Sequence, residues 1–208
     1  MELYEAMNQR RMIRDFLDKE IPAEIIHRII NAGLKAPTND HLRNWEFIVI
    51  SDKEEKARII KEIPKTYTQE EITDFMDSLD KEDTCQWDMY MDGIPKQYSM
   101  LYHSGCLVIP LFRQDYPLLT PDSINALNYF ASIWCCIENI LLAATEEGLG
   151  CITRIPFPNE VTYLKEALGH PDNYYIPCYI SIGYPAENAV RNRQYEFDAK
   201  EKIHINRW

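Results

Sequence analysis

The chain has 208 residues, 46% of them hydrophobic, so it can bury a full core within the usual size of one domain. A formal net charge of −11 argues against a nucleic-acid or anionic-membrane surface, because both partners need a basic footprint. Six cysteines (Cys85, Cys106, Cys135, Cys136, Cys151, Cys178) show no paired metal spacing and read as buried reduced thiols of a cytoplasmic protein.

Leu3, Ala6, Met7 and Arg10 form a short helical stripe. Pro22 suits the first turn of a second helix with Ile25, Ile26, Ile29 and Ile30 on its apolar face, and Gly33 and Pro37 close that region. Residues 45–50 are aromatic and β-branched and predict a buried strand. A polar helix over 52–63 should turn Ala57, Ile60 and Ile63 inward. Residues 66–95 form an irregular acidic stretch containing Trp87, read as a helical excursion or lid. A strand at 106–112 precedes a loop punctuated by Pro117 and Pro121.

The most apolar helix is predicted over 128–147, where Phe130, Ile133, Trp134, Ile137, Ile140, Leu141 and Ala144 recur at helical spacing. Such breadth implies burial on more than one face, in the core or at a dimer seam. Glu138 and Asn139 interrupt the run, which argues against a membrane span. Gly148 supplies a stop. A helix over 159–168, a strand over 175–182 and a tail bearing Ile203 and Ile205 complete a single α+β domain, 1–208, with a mixed sheet packed by helices.

Arg10-Arg11-Met12-Ile13-Arg14-Asp15-Phe16 crowds three guanidiniums at the end of the first helix. In so acidic a protein they suit a bound phosphate, whose geometry Arg forks match, or they are solvated charges favourable to the helix carboxyl end. Downstream come Ala36-Pro37-Thr38-Asn39, the strand led by Trp45, Gly148-Leu149-Gly150, Gly183-Tyr184-Pro185-Ala186-Glu187 and Asn206-Arg207-Trp208. Their collinear order resembles the nitroreductase family of FMN-dependent dimeric flavoenzymes.

That resemblance implies an intertwined homodimer whose tail embraces its partner, with FMN sites at the subunit interface. It implies hydride transfer from NAD(P)H through flavin N5 to a small electron-poor acceptor, a nitroaromatic or a quinone. Two alternatives stay open: a scaffold without turnover, and a flavoenzyme of another reaction type such as reductive dehalogenation or ring oxidation. By resemblance Arg10 meets the phosphate, Arg11 and Met12 lie along the ribityl chain, and Arg14 stands beside the pyrimidine edge. Arg191 and Arg193 form a second basic pair for the phosphate.

Pro37, Thr38, Asn39 and His41 correspond to the loop that reaches the flavin from the other subunit. Thr153, Arg154 and Ile155 match the segment whose backbone N–H, at Ile155, faces N5. Gln97 supplies an amide, and Met100 falls where a Lys is usual. Met12 in place of Ser, and Pro156 with its missing N–H, depart from the family pattern. No metal motif is present: His27, His103, His170 and His204 are scattered, and there is no His-Glu-x-x-His, Walker loop or Gly-x-Gly-x-x-Gly turn.

Overall fold

A computed structural model of the protein describes residues 2–78 and 84–208. Its elements in chain order are α1 (Leu3–Gln9), α2 (Ala23–Gly33), β1 (Trp45–Ile50), α3 (Lys53–Ile59), α4 (Gln69–Ser78), α5 (Thr84–Gly93), α6 (Ser99–Tyr102) and β2 (Cys106–Arg113). There follow α7 (Asn128–Glu146), β3 (Gly150–Arg154), α8 (Pro158–Leu168), β4 (Tyr174–Tyr175) and β5 (Tyr179–Gly183). The sheet order is β1-β2-β5-β3, with β4 pairing the end of β2.

Every pairing between these strands is antiparallel. The parallel component of the expected mixed sheet is one bridge, Met12 to Cys151, where the segment after α1 lies along β3 and the Ile13 N–H donates to the Cys151 carbonyl at 2.9 Å. Gly150 permits this approach, since a Cβ there would lie 2.8 Å from Ile13 Cβ. β3 itself was not anticipated, because its five residues follow a turn without the apolar run that marked β1 and β2.

Side chains alternate across the sheet with period 2. Cys106, Val108, Ile180 and Ile182 face α2 and α7, while Leu107, Ile109, Ile152 and Tyr179 face Ile59 of α3, Leu101 of α6 and Leu164 of α8. The strand expected over 175–182 is broken. Val108 pairs Ile180 but Phe112 pairs Tyr175, so five steps on one strand oppose four on the other, a bulge at Ile176-Pro177-Cys178. Pro177 and Pro110 both lack the N–H that a continuous ladder would need.

The helix expected over 52–63 stops at Ile59. Asp52 caps its start by accepting the Glu55 N–H at 2.8 Å, and Pro64 disfavours helical backbone at Ile63. Ile60 and Ile63 are nonetheless buried. The acidic excursion contains α4 and α5, with its residues 79–83 outside the described ones. Residues 125–146 are long and apolar enough to cross a membrane by length and composition even with Glu138 and Asn139 in the run. In this fold Ile133, Cys136, Ile137, Ile140 and Ala144 are fully buried against the sheet and α2.

None of the six cysteines forms a disulfide among the described residues; five are buried as expected, whereas Cys135 is exposed on the outer side of α7, against the expected burial. Burial pushes Cys106, Cys136 and Cys151 up to about 12 and raises Cys178 further. At pH 8 their thiolate fraction is then on the order of 10⁻⁴, and the thiolate is the nucleophile. Iodoacetamide should leave all four unmodified in the folded protein and label them in urea. Native labelling of Cys106 or Cys151 at the rate of a free thiol would contradict this.

Candidate cofactor site

Two ends of the chain and one helix enclose a cavity of about 420 Å³. Arg11, Met12 and Arg14 enter from the segment that runs along β3, Asn192, Arg193 and Gln194 come from the tail, and Cys85, Gln86 and Met89 of α5 form the remaining wall. The bridge at Met12 ties the first segment to β3, and a second one between Phe16 and Pro185 ties that segment to the start of the tail. Sequence reading therefore brought together Arg11, Met12, Arg14 and Arg193, and it missed Asn192 and the α5 residues. No local pattern marks these: α5 reaches the cavity only through the tertiary path of the excursion.

The cavity presents donors. Arg11 Nη1 donates to the Asn8 and Arg10 carbonyls, both at 2.8 Å, and so anchors at the carboxyl end of α1. Arg193 Nε donates to Cys85 Sγ at 3.3 Å, tying the tail to α5. Asn192 Nδ2 is buried without a hydrogen-bond partner among the described residues. A buried donor left unpaired costs about 1–3 kcal/mol, so this amide calls for an acceptor in the cavity.

Arg14 is buried, and its Nη1 meets Asp92 Oδ2 at 3.1 Å. Lys96 Nζ donates at 2.6 Å to both Asp92 Oδ1 and Asp15 Oδ2, and these two partners outweigh desolvation to raise its pKa, although burial alone is the largest single influence and lowers it. The Asp92–Lys96 spacing of four residues could have been read from the sequence as a helical ion pair. Its link to Arg14 could not.

Other expected residues lie elsewhere. Arg10 does not line the cavity; its Nε faces Glu138 of α7 at 3.4 Å. Arg191 is exposed and outside the lining. Pro37, Thr38 and Asn39 line a separate cleft of about 230 Å³ with Asn128, Ala131, Ser132 and Cys135 of α7. There the Asn39 N–H donates to Ser132 Oγ at 2.9 Å. His41 is exposed, in a loop where Asp40, His41 and Arg43 all have φ near +50°. Three non-glycine residues in left-handed backbone store strain, which is usual where a loop is shaped for contact.

Arg154 turns inward. Its Nη2 meets Glu160 Oε1 at 2.7 Å and its Nε donates to Gln97 Oε1 at 2.6 Å. Tyr179 Oη donates to Glu160 Oε2 at 3.2 Å, and burial pushes the phenol well above its usual range. The Arg154 side chain thus belongs to the interior, leaving its backbone, with that of half-buried Thr153, beside Ile155, whose side chain is 58% exposed. Gln97 spends its other end on the Gly93 carbonyl at 3.1 Å. Met100 is 2% exposed and packs with Ile13, Tyr98 and Leu101, so it is a core residue and not a site residue short of a charge.

The sequence model of the nitroreductase family matches residues 7–184. The chain belongs to the nitroreductase family. It is similar to the iodotyrosine deiodinase of Haliscomenobacter hydrossis, 30% identical over 193 residues that span 91% of this chain and 82% of the relative. The iodotyrosine deiodinase of Nematostella vectensis is 26% identical over 190 residues, 90% of this chain and 69% of that one. In fold the chain resembles a crystal structure of oxidized iodotyrosine deiodinase bound to FMN and 3-iodo-L-tyrosine, with a TM-score of 0.73, 17% identity and full coverage of both chains. It also resembles an FMN-dependent nitroreductase of Clostridium difficile, with a TM-score of 0.67, 24% identity and 98% coverage of each.

Proposed function

We propose that the protein is an FMN-dependent reductase that takes electrons from a nicotinamide donor and passes them to an electron-poor aromatic. A halogenated phenol of the iodotyrosine kind ranks ahead of a nitroaromatic or quinone. The observation that carries the cofactor assignment is the meeting of Arg11, Arg193 and the unpartnered Asn192 amide in one cavity of about 420 Å³. That volume lies within the roughly 300–1,000 Å³ of small-molecule sites. The ranking of acceptors follows the deiodinase relatives, one of them 30% identical over most of its length.

The donor set fits FMN. Arg11 and Arg193 would hold phosphate or ribityl oxygens, since guanidinium forks suit them. Asn192 would donate to a carbonyl or ring nitrogen, and Met12 and Met89 give the ring apolar walls of polarizable sulfur. A bound flavin supplies two-electron reducing power that no side chain here possesses. The chain's own part is to orient the cofactor and to offer the Ile155 backbone at the strand edge.

A homodimer completes this reading. Thr38 and Asn39 line a cleft that shares no residue with the larger cavity, as befits a loop offered to a partner's site. Leu3, Tyr4, Ile205 and Trp208 are exposed at 59%, 80%, 79% and 99% in the single chain, apolar surface that a partner subunit would cover. Sedimentation should give a dimer at micromolar concentration; a stable folded monomer there would overturn this arrangement.

Purified protein should show flavin absorbance, bleach with NAD(P)H or dithionite without oxygen, and recover its colour on addition of 3-iodotyrosine with release of iodide. Recovery with a nitroaromatic or quinone but not with iodotyrosine would reverse the ranking of acceptors. Failure to bind added FMN would end the flavoenzyme reading.

A further inference from the structure

Arg14 brings a guanidinium to the cavity, but it does not bring a free unit of charge. Its Nη1 is paired with Asp92 at 3.1 Å, and both side chains are nearly buried, at 7% and 11% exposure, so water screens the pair weakly. Asp92 is shared: its second oxygen takes a hydrogen bond from Lys96 Nζ at 2.6 Å, and the same ammonium reaches Asp15 at 2.6 Å. Two cations and two anions form one neutral quartet. Of its members only Arg14 lines the cavity.

The quartet joins two pieces of chain. Arg14 and Asp15 belong to the segment pinned along β3, whereas Asp92 lies in the last turn of α5 and Lys96 follows one turn later. The backbone between the two acts as a stop. A Cβ on Gly93 would lie 3.1 Å from Arg14 Nε, so the guanidinium rests directly against the residue after Asp92. Arg14 is therefore held from one side by contact and by charge, while its other side faces the cavity.

We propose that Asp92 is a positioning residue. It fixes the Arg14 guanidinium at the cavity wall and, by pairing with it, reduces the positive field there, so that it sets how strongly the site prefers an anionic reduced cofactor over the neutral oxidised one. Lys96 works in the opposite sense by taking up part of the Asp92 charge. The proposal rests on the assignment of FMN to this cavity.

Potentiometric titration of the FMN-loaded protein tests it. Asp92→Asn should raise the ratio of reduced-to-oxidised flavin affinity by on the order of tenfold, a shift of about 30 mV upward for a two-electron couple. Lys96→Gln should move the midpoint downward, and Asp92→Glu, which keeps the charge, should restore it to the wild-type value. A merely structural role would loosen the site in both variants and give no reversal of sign. Midpoints that move in the same direction, or do not move, overturn the proposal while leaving the flavin assignment intact. Wild-type protein that binds no FMN overturns that assignment first and the proposal with it. Should Asp92→Asn fail to fold, the sign of the Lys96→Gln shift decides alone.

Discussion

Glu160→Ala is expected to cost about 3–5 kcal/mol of stability, because it strands a buried guanidinium. The Arg154 and Glu160 side chains are 4% and 2% exposed, and Arg154 reaches both Glu160 oxygens. Little could replace the lost acceptor: Arg154 lies between the rings of Phe157 and Tyr179, at 5.4 and 5.7 Å, which offer π-faces but no anion. Tyr179 Oη would lose its acceptor in the same step. The cost comes from breaking the pair and not from the pair's own worth. Arg154→Met combined with Glu160→Leu should therefore recover most of the loss, since apolar replacement of a whole buried pair is often neutral. Urea unfolding of the three proteins decides the matter, and a single-variant loss below about 1 kcal/mol would show that Arg154 finds another partner or water.

What could be read without the structure follows the range of the interaction. The bounds Trp45–Ile50 were legible to the residue from aromatic and β-branched composition, but the expected burial was not: β1 ends the sheet order, and only Trp45 and Ile50 are buried while Glu46 and Val49 are exposed. α7 was legible because nineteen residues of helical periodicity leave little ambiguity. Lys56 was not. It sits in a helix read as polar, yet its side chain is fully buried, its ammonium donates to the Ser104 carbonyl, and burial lowers its pKa.

In the candidate site, Arg11, Met12 and Arg14 were legible as a run of unusual charge in an acidic chain, and Arg193 through its resemblance to a second basic pair. What each guanidinium is bonded to was beyond reach. Arg10 pairs with Glu138 across α7, Arg14 with Asp92 across 78 residues, and Arg154 with Glu160 in the interior. Charge is a property of the sequence, whereas the compensation of charge is a property of the fold.

That distinction separates the arginines for the remaining prediction. Arg193→Ala should weaken FMN binding roughly ten- to a hundredfold, the equivalent of about 1.5–3 kcal/mol for a charge-assisted hydrogen bond, and should change riboflavin binding little. Arg193 lines the cavity, and its Nε donates to a thiol sulfur, a weak acceptor that a phosphate oxygen readily displaces. Arg10 is the contrasting case. Resemblance gives it the phosphate too, but here its guanidinium faces Glu138 and stands outside the lining, so contact with the phosphate requires exchange of one anion for another. Arg10→Ala should accordingly lose less FMN affinity than Arg193→Ala. Titration of the two variants with FMN and riboflavin separates the roles: equal weakening of both ligands in Arg193→Ala would mean that this residue does not read the phosphate, and a larger loss in Arg10→Ala would show that the Glu138 pair opens when the cofactor binds.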